Sequence, residues 1–203
     1  MKIICIGRNY AKHAAELQNA VPDQPVIFLK PETALLPKGE ALSIPAFTSD
    51  LHYECELVVR IGKEGKNIPA ADALDYIDGV TLGIDFTARD VQENLKKKSL
   101  PWELAKAFDG SAAVGNFRKT DGSGDLKNVR FALEKNGEAV QSGHTADMLF
   151  PVAEIIAFAS RYFTLQPGDF IFTGTPEGVG PVKSGDVLKG ILGGETVFEI
   201  RIA

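Results

Sequence analysis

The segment His52-Tyr-Glu-Cys-Glu-Leu-Val-Val-Arg60 has the period-two alternation of a half-buried β-strand. Side chains two residues apart lie on the same face of a strand. Glu54 and Glu56 therefore project together, with their Cα atoms about 7 Å apart. Cys55 and Leu57 take the opposite face. The segment predicts a strand with one acidic and one apolar face, and it is the first indication of a β-rich fold.

Strand-like segments of this kind recur along the chain. They are Lys2–Ile6, Val26–Leu29, Glu56–Ile61, Val80–Phe86, Val129–Lys135, Phe170–Thr173, Val187–Leu192 and Thr196–Ile202. The 20 Gly and 11 Pro residues among 203 are typical of many tight turns between short strands. This spacing predicts a mixed, mostly antiparallel β architecture. Because no linker or strong repeat interrupts it, we expect one catalytic domain spanning residues 1–203.

Helical patterns are fewer than strand patterns. Residues 152–159 place apolar side chains at i, i+3, i+4 and i+7, after a proline that suits the start of a helix. Tyr10–Leu17 and Arg89–Lys98 are shorter helix candidates. The predicted fold class is therefore mainly β with few short helices (α+β).

Two turns share the dipeptide Gly-Asp. Pro167-Gly-Asp169 precedes one predicted strand, and Ser184-Gly-Asp186 precedes another. The recurrence indicates two similar turns and not a duplicated unit.

The charge balance limits the classes of partner. With 27 acidic and 22 basic residues, the formal net charge is −5. Nucleic-acid binding needs a basic face, so no nucleic-acid partner is expected. No apolar run approaches the roughly 18 residues of a membrane-spanning helix, so no membrane partner is expected either.

The two cysteines, Cys5 and Cys55, lie in apolar or alternating runs. They lack the short spacing of a thiol metal site, and two are too few for a disulfide framework. We interpret them as buried, reduced thiols, as in a cytoplasmic protein. The apolar run after Lys2 is too short for a signal-peptide core, which agrees with that location.

The paired carboxylates could form a site for a hard cation. Glu54 and Glu56 repel each other unless water or a cation screens them, and carboxylate oxygens suit Mg²⁺, Mn²⁺ or Ca²⁺. Asp85, which ends the apolar run Val80–Ile84, is the candidate third ligand. Two alternatives stay open: a solvent-exposed acidic strand face, and a helix-capping role for Asp85.

A candidate base lies near the N-terminus. His13 and Glu16 are i,i+3 neighbours in a predicted helix and can hydrogen-bond. A carboxylate that holds one imidazole nitrogen leaves the other free as a base. The chain has only two other histidines, His52 and His144, so the choice is small. An ordinary surface pair is the alternative.

Lysines in the middle of the chain could recognise an anion. Lys106 lies in an apolar stretch, Leu104–Phe108, where a charged side chain needs a reason. Anion recognition is one reason, and packing of the methylene stem is the other. The triplet Lys96–Lys98 more simply predicts a solvated helix face.

The segment Thr173-Gly-Thr-Pro-Glu-Gly-Val-Gly180 follows a predicted strand with small and hydroxyl-bearing residues. It lacks the P-loop pattern, and no G-x-G-x-x-G opens a βαβ unit in the chain. P-loop and dinucleotide-binding sites are therefore not expected. The loop fits the approach of a small anionic ligand, with a bare turn as the alternative.

Taken in order, six strings resemble the fumarylacetoacetate hydrolase family, particularly its small members that resemble acylpyruvases and oxaloacetate decarboxylases. They are Cys5-Ile-Gly-Arg-Asn-Tyr-Ala-Lys-His13, Pro25-Val-Ile-Phe-Leu-Lys-Pro31, Tyr53-Glu-Cys-Glu-Leu57, Gly83-Ile-Asp-Phe-Thr-Ala-Arg-Asp90, Lys97-Lys-Ser-Leu-Pro-Trp102 and Thr173-Gly-Thr-Pro-Glu-Gly178. E-x-E alone is unspecific, but six strings in the family's order are specific. The resemblance implies a fumarylacetoacetate hydrolase-like mixed β-roll, usually a homodimer, without the extra N-terminal domain of larger members.

The resemblance also implies roles for single residues. Glu54, Glu56 and Asp85 match the metal ligands, usually for Mg²⁺ or Mn²⁺, with Ca²⁺ as a further option in a crystal. His13 and Glu16 match a catalytic dyad that activates water from a mobile lid helix. A last group matches positions at the substrate, namely Arg8, Arg89, Gln92, Thr175 and the catalytic Lys106.

The activity implied is metal-dependent hydrolysis of acylpyruvates (2,4-diketo acids) to pyruvate and a carboxylic acid, with oxaloacetate decarboxylation at the same site. The substrate would be a small anionic 2-keto acid whose carboxylate and keto oxygens face the metal. An isomerase or hydratase of aromatic meta-cleavage products is the alternative on the same site. A non-catalytic binder of a dicarboxylate or metal is the alternative from another class.

Overall fold

The computed structural model describes residues 1–17, 20–120 and 126–203. Its helices are α1 (Ala11–Glu16), α2 (Arg89–Lys97), α3 (Glu103–Lys106) and α4 (Val152–Tyr162). Its strands are β1 (Ile3–Gly7), β2 (Val26–Lys30), β3 (Leu51–Tyr53), β4 (Cys55–Ile61), β5 (Ile77–Asp85), β6 (Thr87–Ala88), β7 (Ala112–Val114), β8 (Arg118–Lys119), β9 (Arg130–Lys135), β10 (Glu138–His144), β11 (Phe170–Phe172), β12 (Gly180–Pro181), β13 (Val187–Leu192) and β14 (Glu195–Arg201). Strands dominate, so the predicted mainly β class is confirmed.

The strands form three sheets. In the largest, the order is β2-β1-β11-β4-β5-β7, and β8 also pairs with β5. The second sheet has the order β10-β9-β13-β14, and the third has the order β12-β3-β6. Among these described strand pairs, β1 and β11 run parallel and the others run antiparallel. The predicted mixed, mostly antiparallel architecture is therefore confirmed.

The central strands β4 and β5 bring the ends of two predicted segments together. Nearly every residue of both strands is buried because both of their faces are covered, and Leu57 and Leu82 are fully buried. Cys55 pairs with Ile84 across the antiparallel ladder. The start of β4 therefore lies beside the end of β5, where Asp85 is the last residue.

The predicted strands and helices all have counterparts, with ends shifted by a few residues. The helix predicted at residues 152–159 is α4, which begins directly after Pro151 and buries Ile155 and Ile156 against the core. The strand predicted over residues 52–60 is interrupted at Glu54 and forms β3 and β4. The strands β6, β7, β8, β10 and β12 were not predicted. Apart from β10, these are two or three residues long, which is too short for a period-two pattern to show.

Other sequence expectations concern the thiols, the turns and membrane spans. Cys5 and Cys55 are buried and free, and burial raises the pKa of both thiols well above the ordinary range. Gly168 and Gly185 have nearly equal φ angles of +89° and +90°, as expected for two similar turns. In the described parts of the chain, no helix is long and apolar enough to cross a bilayer.

Candidate active site

Three carboxylates meet where β4 begins and β5 ends. Glu54 precedes β4, Glu56 lies within it and Asp85 ends β5. The main-chain N–H of Asp85 donates to the carbonyl of Glu54 (2.9 Å), which holds the two strand ends together. One oxygen of each carboxylate lies within 4.8 Å of the others.

The structure excludes both alternative interpretations of these carboxylates. All three side chains are buried, which excludes a solvent-exposed acidic strand face. Asp85 does not cap α2, because the cap position is Ala88 and no side chain bonds there. The predicted ligand set is therefore a true cluster.

Two predicted substrate residues contact this cluster. Lys106 Nζ donates to Asp85 Oδ2 (2.7 Å) and to Glu54 Oε2 (2.9 Å). Arg89 donates to Glu54 Oε1 (2.5 Å) and to Gln92 Oε1 (2.6 Å). Lys106 is 3% exposed, so its ammonium group is buried beside the carboxylates together with its methylene stem.

Lys30 is a third cation of the cluster, and sequence reasoning assigned it no role. It ends β2, its side chain is fully buried, and Nζ lies 2.8 Å from Asp85 Oδ1. The ammonium also donates to the carbonyl (3.1 Å) and hydroxyl (3.0 Å) of Ser111 and to the carbonyl of Lys106. The one signal in the sequence was a lysine directly after the apolar run 26–29.

The surroundings separate the pKa values of the carboxylates in the metal-free site. Burial alone would raise the pKa of Glu54, but Lys106 and Arg89 outweigh burial and hold it well below its ordinary value. Burial raises the pKa of Glu56 well above its ordinary value, and the charges of Asp85 and Glu54 add to this. Burial lowers the pKa of Lys106, but the same two charges outweigh that effect and raise it. Glu56 is thus the carboxylate that most needs a further cation.

The predicted dyad forms on α1. His13 is buried, and its Nδ1 lies 3.1 Å from Glu16 Oε2. Because an ionised carboxylate only accepts, we assign the proton to Nδ1, which leaves Nε2 free as an acceptor. Glu16 Oε1 accepts the main-chain N–H of Gly178 (3.1 Å), which ties α1 to the loop after β11. His13 is thus buried, whereas Glu16 is exposed and is held by the loop, which distinguishes the pair from an ordinary surface pair.

A cavity of about 40 Å³ connects these groups. Apart from Glu16, every predicted site residue lines it, namely Arg8, His13, Glu54, Glu56, Asp85, Arg89, Gln92, Lys106 and Thr175. Lys96 also lines it, while Lys97 and Lys98 are exposed. The prediction of a solvated face thus holds for the last two lysines and is wrong for Lys96, because the helix turns that position towards the cavity.

Two aromatic rings contribute to the apolar part of the cavity wall. Phe28 and Trp102 contact each other edge-on, with centroids 6.0 Å apart. The guanidinium of Arg8 lies 5.8 Å from the Trp102 ring centroid. Arg8 has a φ of +61°, an uncommon conformation for a residue with a side chain. The backbone conformation and the ring contact together place Arg8 at the cavity.

The loop after β11 is built into the site and is not a bare turn. The Gly174 N–H donates to Glu56 Oε2 (2.6 Å). With φ of +98°, a Cβ on Gly174 would lie 2.6 Å from Asn9 Cβ, so only glycine fits. Asn9 itself donates to the carbonyl of Thr173 (2.7 Å). Asn9 was not predicted as a site residue, although it lies in the string shared with the family.

Known proteins resemble this chain over nearly its whole length. Residues 2–200 match the family model described as fumarylacetoacetate (FAA) hydrolase C-terminal. The Bos taurus protein named oxaloacetate tautomerase FAHD1, mitochondrial, is 45% identical over 200 residues, covering 98% of this chain and 90% of its own length. The Dictyostelium discoideum protein named oxaloacetate decarboxylase, mitochondrial, is 44% identical over 203 residues, covering 99% and 93%.

A solved structure has the same fold. Fumarylpyruvate hydrolase from Pseudomonas aeruginosa, crystallised in complex with Mn²⁺ and pyruvate, superposes with a TM-score of 0.94 at 36% sequence identity. The match covers 100% of this chain and 89% of that chain. The likeness therefore extends over every sheet that positions the carboxylates and the dyad.

Proposed function

The chain belongs to the fumarylacetoacetate hydrolase family, and from that membership we propose that it is a divalent-metal-dependent enzyme that enolises small 2-keto acids. The leading reaction is keto–enol tautomerisation of oxaloacetate. The observation that carries the proposal is that His13, hydrogen-bonded to Glu16, lines the same cavity as three buried carboxylates. The names of relatives at 44–45% identity favour oxaloacetate over the acylpyruvates expected from the sequence.

Glu54, Glu56 and Asp85 would hold Mg²⁺ or Mn²⁺. Their donor set consists of hard carboxylate oxygens, and burial together with the charges of Asp85 and Glu54 raises the pKa of Glu56. The Mn²⁺ in the Pseudomonas structure supports a divalent ion in this fold. When bound, such an ion would supply Lewis-acid stabilisation of negative charge on the keto oxygen of the substrate.

His13 would move the proton. Its free Nε2 accepts a proton from C3 of the keto acid, and a proton returns to the keto oxygen, so the product is an isomer of the substrate. Glu16, bonded to Nδ1, orients the ring and stabilises the imidazolium. The bond from Gly178 keeps Glu16 in place during both transfers.

Cationic side chains explain how an acidic protein would hold an anion. Arg8, Arg89 and Lys106 all line the cavity. The planar guanidinium of an arginine matches a carboxylate with two hydrogen bonds. Gln92 holds one branch of the Arg89 fork, and Thr175 offers a hydroxyl near the Glu56 end of the cavity.

Hydrolysis of acylpyruvates is the second candidate. A dyad that takes a proton from carbon can also take one from water, and water attack on the distal carbonyl would break the carbon–carbon bond and release pyruvate. The fold shared with the fumarylpyruvate hydrolase supports this candidate. Decarboxylation of oxaloacetate would need no attacking water, so His13 is dispensable for that reaction alone.

An assay panel with oxaloacetate and acetylpyruvate, with Mg²⁺ and after chelation, tests the proposal. We expect tautomerisation to be the fastest reaction and to stop on chelation. His13→Gln should slow it by about a hundredfold or more. The matched control is His144→Gln, because His144 lies outside the cavity lining and should leave the rate unchanged. Stable ligand binding without turnover of either compound would contradict the proposal and favour a binding protein.

Three further expectations remain predictions. We propose that residues 1–203 act as one catalytic domain, that the protein is a homodimer and that it works in the cytoplasm. Light scattering coupled to size-exclusion chromatography would measure the mass in solution, and a mass near 22 kDa, that of one 21.9 kDa chain, would contradict the dimer. Fractionation of the source cells would test the location.

A further inference from the structure

Gln141 is a buried polar residue that reaches the candidate site from a different sheet. It lies on β10 and is 3% exposed. The pairing of β10 with β9 shifts register between Ala139 and Gln141, which is the signature of a β-bulge. Bulges next to active sites often redirect a side chain. This bulge directs Gln141 towards the start of β4.

The Gln141 amide links the start of β4 to the loop after β11. Its oxygen accepts the main-chain N–H of Cys55 (2.9 Å), the residue between the two glutamates of the cluster. Its nitrogen donates to Thr175 Oγ1 (2.8 Å) and to the carbonyl of Pro176 (3.0 Å). One side chain therefore sets the position of the loop after β11 relative to the carboxylate strand.

The loop also rests directly on the bulge. A Cβ on Gly178 would lie 2.4 Å from the carbonyl oxygen of Val140, the residue inside the bulge. Gly178 has a φ of +92°, so glycine is required there on both grounds. The close contact and the amide of Gln141 fix the same loop from the same strand.

The hydrogen bonds of Thr175 give this arrangement a consequence for ligand binding. Thr175 Oγ1 donates its single proton to the carbonyl of Cys55 (2.8 Å) and accepts from Gln141. A bound carboxylate can only accept, so the Thr175 hydroxyl would contact it by turning its single proton from the Cys55 carbonyl towards the ligand while Gln141 continues to donate to its oxygen. Accepting a hydrogen bond also strengthens a hydroxyl as a donor.

We infer that Gln141 is a positioning residue that holds the Thr175 hydroxyl ready to donate to the carboxylate of a bound 2-keto acid. The inference rests on the proposed function for the identity of the ligand. Gln141 contacts neither the cavity nor a predicted metal ligand side chain, so it acts through Thr175. Its removal should weaken carboxylate binding and leave metal binding intact.

The test is a double-variant cycle on pyruvate binding by the Mn²⁺-loaded protein, measured by calorimetry. Gln141→Met keeps the shape of the side chain without its hydrogen bonds and should raise the Kd for pyruvate about tenfold. Thr175→Val should have a similar effect. Since both changes remove one interaction, the double variant should lose no more than the larger single loss. Additive losses, or an unchanged Kd in Gln141→Met, would overturn the inference.

Further readouts separate positioning from stability and from the proposed reaction. In Gln141→Met, the KM for the 2-keto acid substrate should rise by about the same factor as the Kd for pyruvate. The kcat and the Kd for Mn²⁺ should stay within about twofold of the wild-type values. The control is Thr145→Val, which deletes a hydrogen bond at the open end of the β9–β10 hairpin, where the buried Thr145 hydroxyl accepts the Val129 N–H (2.9 Å). It should lower stability without changing KM, and a KM that rises equally would overturn the inference.

A variant that keeps more of the native bonding covers the case in which Gln141→Met does not fold. Gln141→Glu retains the acceptor for Cys55 and replaces the donor by an oxygen, so the Thr175 proton turns away from the ligand. We expect a larger loss of pyruvate binding, and unchanged binding would contradict the inference. If the cycle holds while no substrate turns over, the proposed function fails and the positioning role stands.

Discussion

Buried carboxylates in two regions of this molecule are stabilised in opposite ways. The first region comprises the turn aspartates, Asp169 and Asp186, which precede β11 and β13. Asp169 accepts the N–H groups of Lys2 (2.8 Å) and Gln166 (2.9 Å), and Asp186 accepts the N–H of Lys183 (2.9 Å) and the amide of Asn136 (2.8 Å). Neutral N–H donors therefore occupy both oxygens of each carboxylate.

The second region is the carboxylate cluster of Glu54, Glu56 and Asp85. These carboxylates face one another, and lysine and arginine side chains supply positive charge to Glu54 and Asp85. Glu56 receives one main-chain N–H, from Gly174, and no cationic partner within the described residues. The cluster therefore keeps coordination capacity that the turn aspartates have used up.

The difference also appears in the pKa values. Burial alone would raise the pKa of Asp186, but the bonds from Asn136 and Lys183 outweigh it and lower that pKa. The pKa of Glu56 is raised, because burial and two neighbouring charges act in the same direction. A carboxylate whose two oxygens both accept N–H hydrogen bonds has a structural role. Carboxylates that face one another in a cavity indicate a functional site.

The largest expected effect separates the regions by activity. Glu56→Gln should lower turnover at least about a thousandfold, a difference of about 4 kcal/mol, because a predicted metal ligand is lost. The same change should stabilise the metal-free protein, since it removes a buried carboxylate that is costly to ionise. Turnover and urea unfolding after chelation measure the two effects. Asp186→Asn is the matched control, with turnover kept and stability lowered, and the reverse pattern would break the comparison.

The next effect concerns the cations. Lys30→Met leaves Asp85 without one buried partner and should lower the free energy of unfolding by about 3–5 kcal/mol. Lys2→Met removes an ammonium 2.6 Å from Asp169, but that lysine is 31% exposed and the aspartate keeps its N–H donors. Its cost should be about 1 kcal/mol or less. Equal losses in urea unfolding of the two variants would contradict the distinction between the regions.

The smallest effect is a pH dependence of stability. A carboxyl group whose pKa is lower in the folded than in the unfolded state stabilises the fold above the unfolded pKa of about 3.9. That contribution from Asp186 should disappear as the pH falls through the lowered folded pKa. The stability difference between wild type and Asp186→Asn, about 1 kcal/mol at pH 6, should therefore shrink below pH 4. A difference that grows on acidification would show that the sign is wrong.

The long strands and the carboxylate cluster could be predicted from sequence because their signals are local. Alternation and apolar runs marked β4 and β5, and E-x-E with Asp85 marked the three carboxylates that the structure brings together. The strand β10 was missed because its residues, Glu-Ala-Val-Gln-Ser-Gly-His, do not alternate regularly around the bulge. A two-residue period does not fit a strand that contains the extra residue of a β-bulge.

Lys30 and Gln141 could not be assigned roles from sequence for a different reason. Each is explained by partners far along the chain, Asp85 for the lysine and Thr175 for the glutamine. A buried lysine or amide is costly without such partners and stabilising with them, and only the folded structure reveals which applies. Rules based on sequence spacing describe only residues that are close along the chain. They cannot predict a hydrogen-bond or charge partner that a distant part of the chain contributes.

Proton exchange at C3 of pyruvate tests the central claim most directly, because it requires the same removal of a C3 proton as the proposed tautomerisation. The measurement is loss of the pyruvate methyl signal in D₂O by proton NMR, with Mg²⁺ present. We predict rapid exchange with the wild-type protein, loss of exchange on chelation or in Glu56→Gln, and a large reduction in His13→Gln. Exchange that persists after chelation, or at the wild-type rate in His13→Gln, would contradict the account.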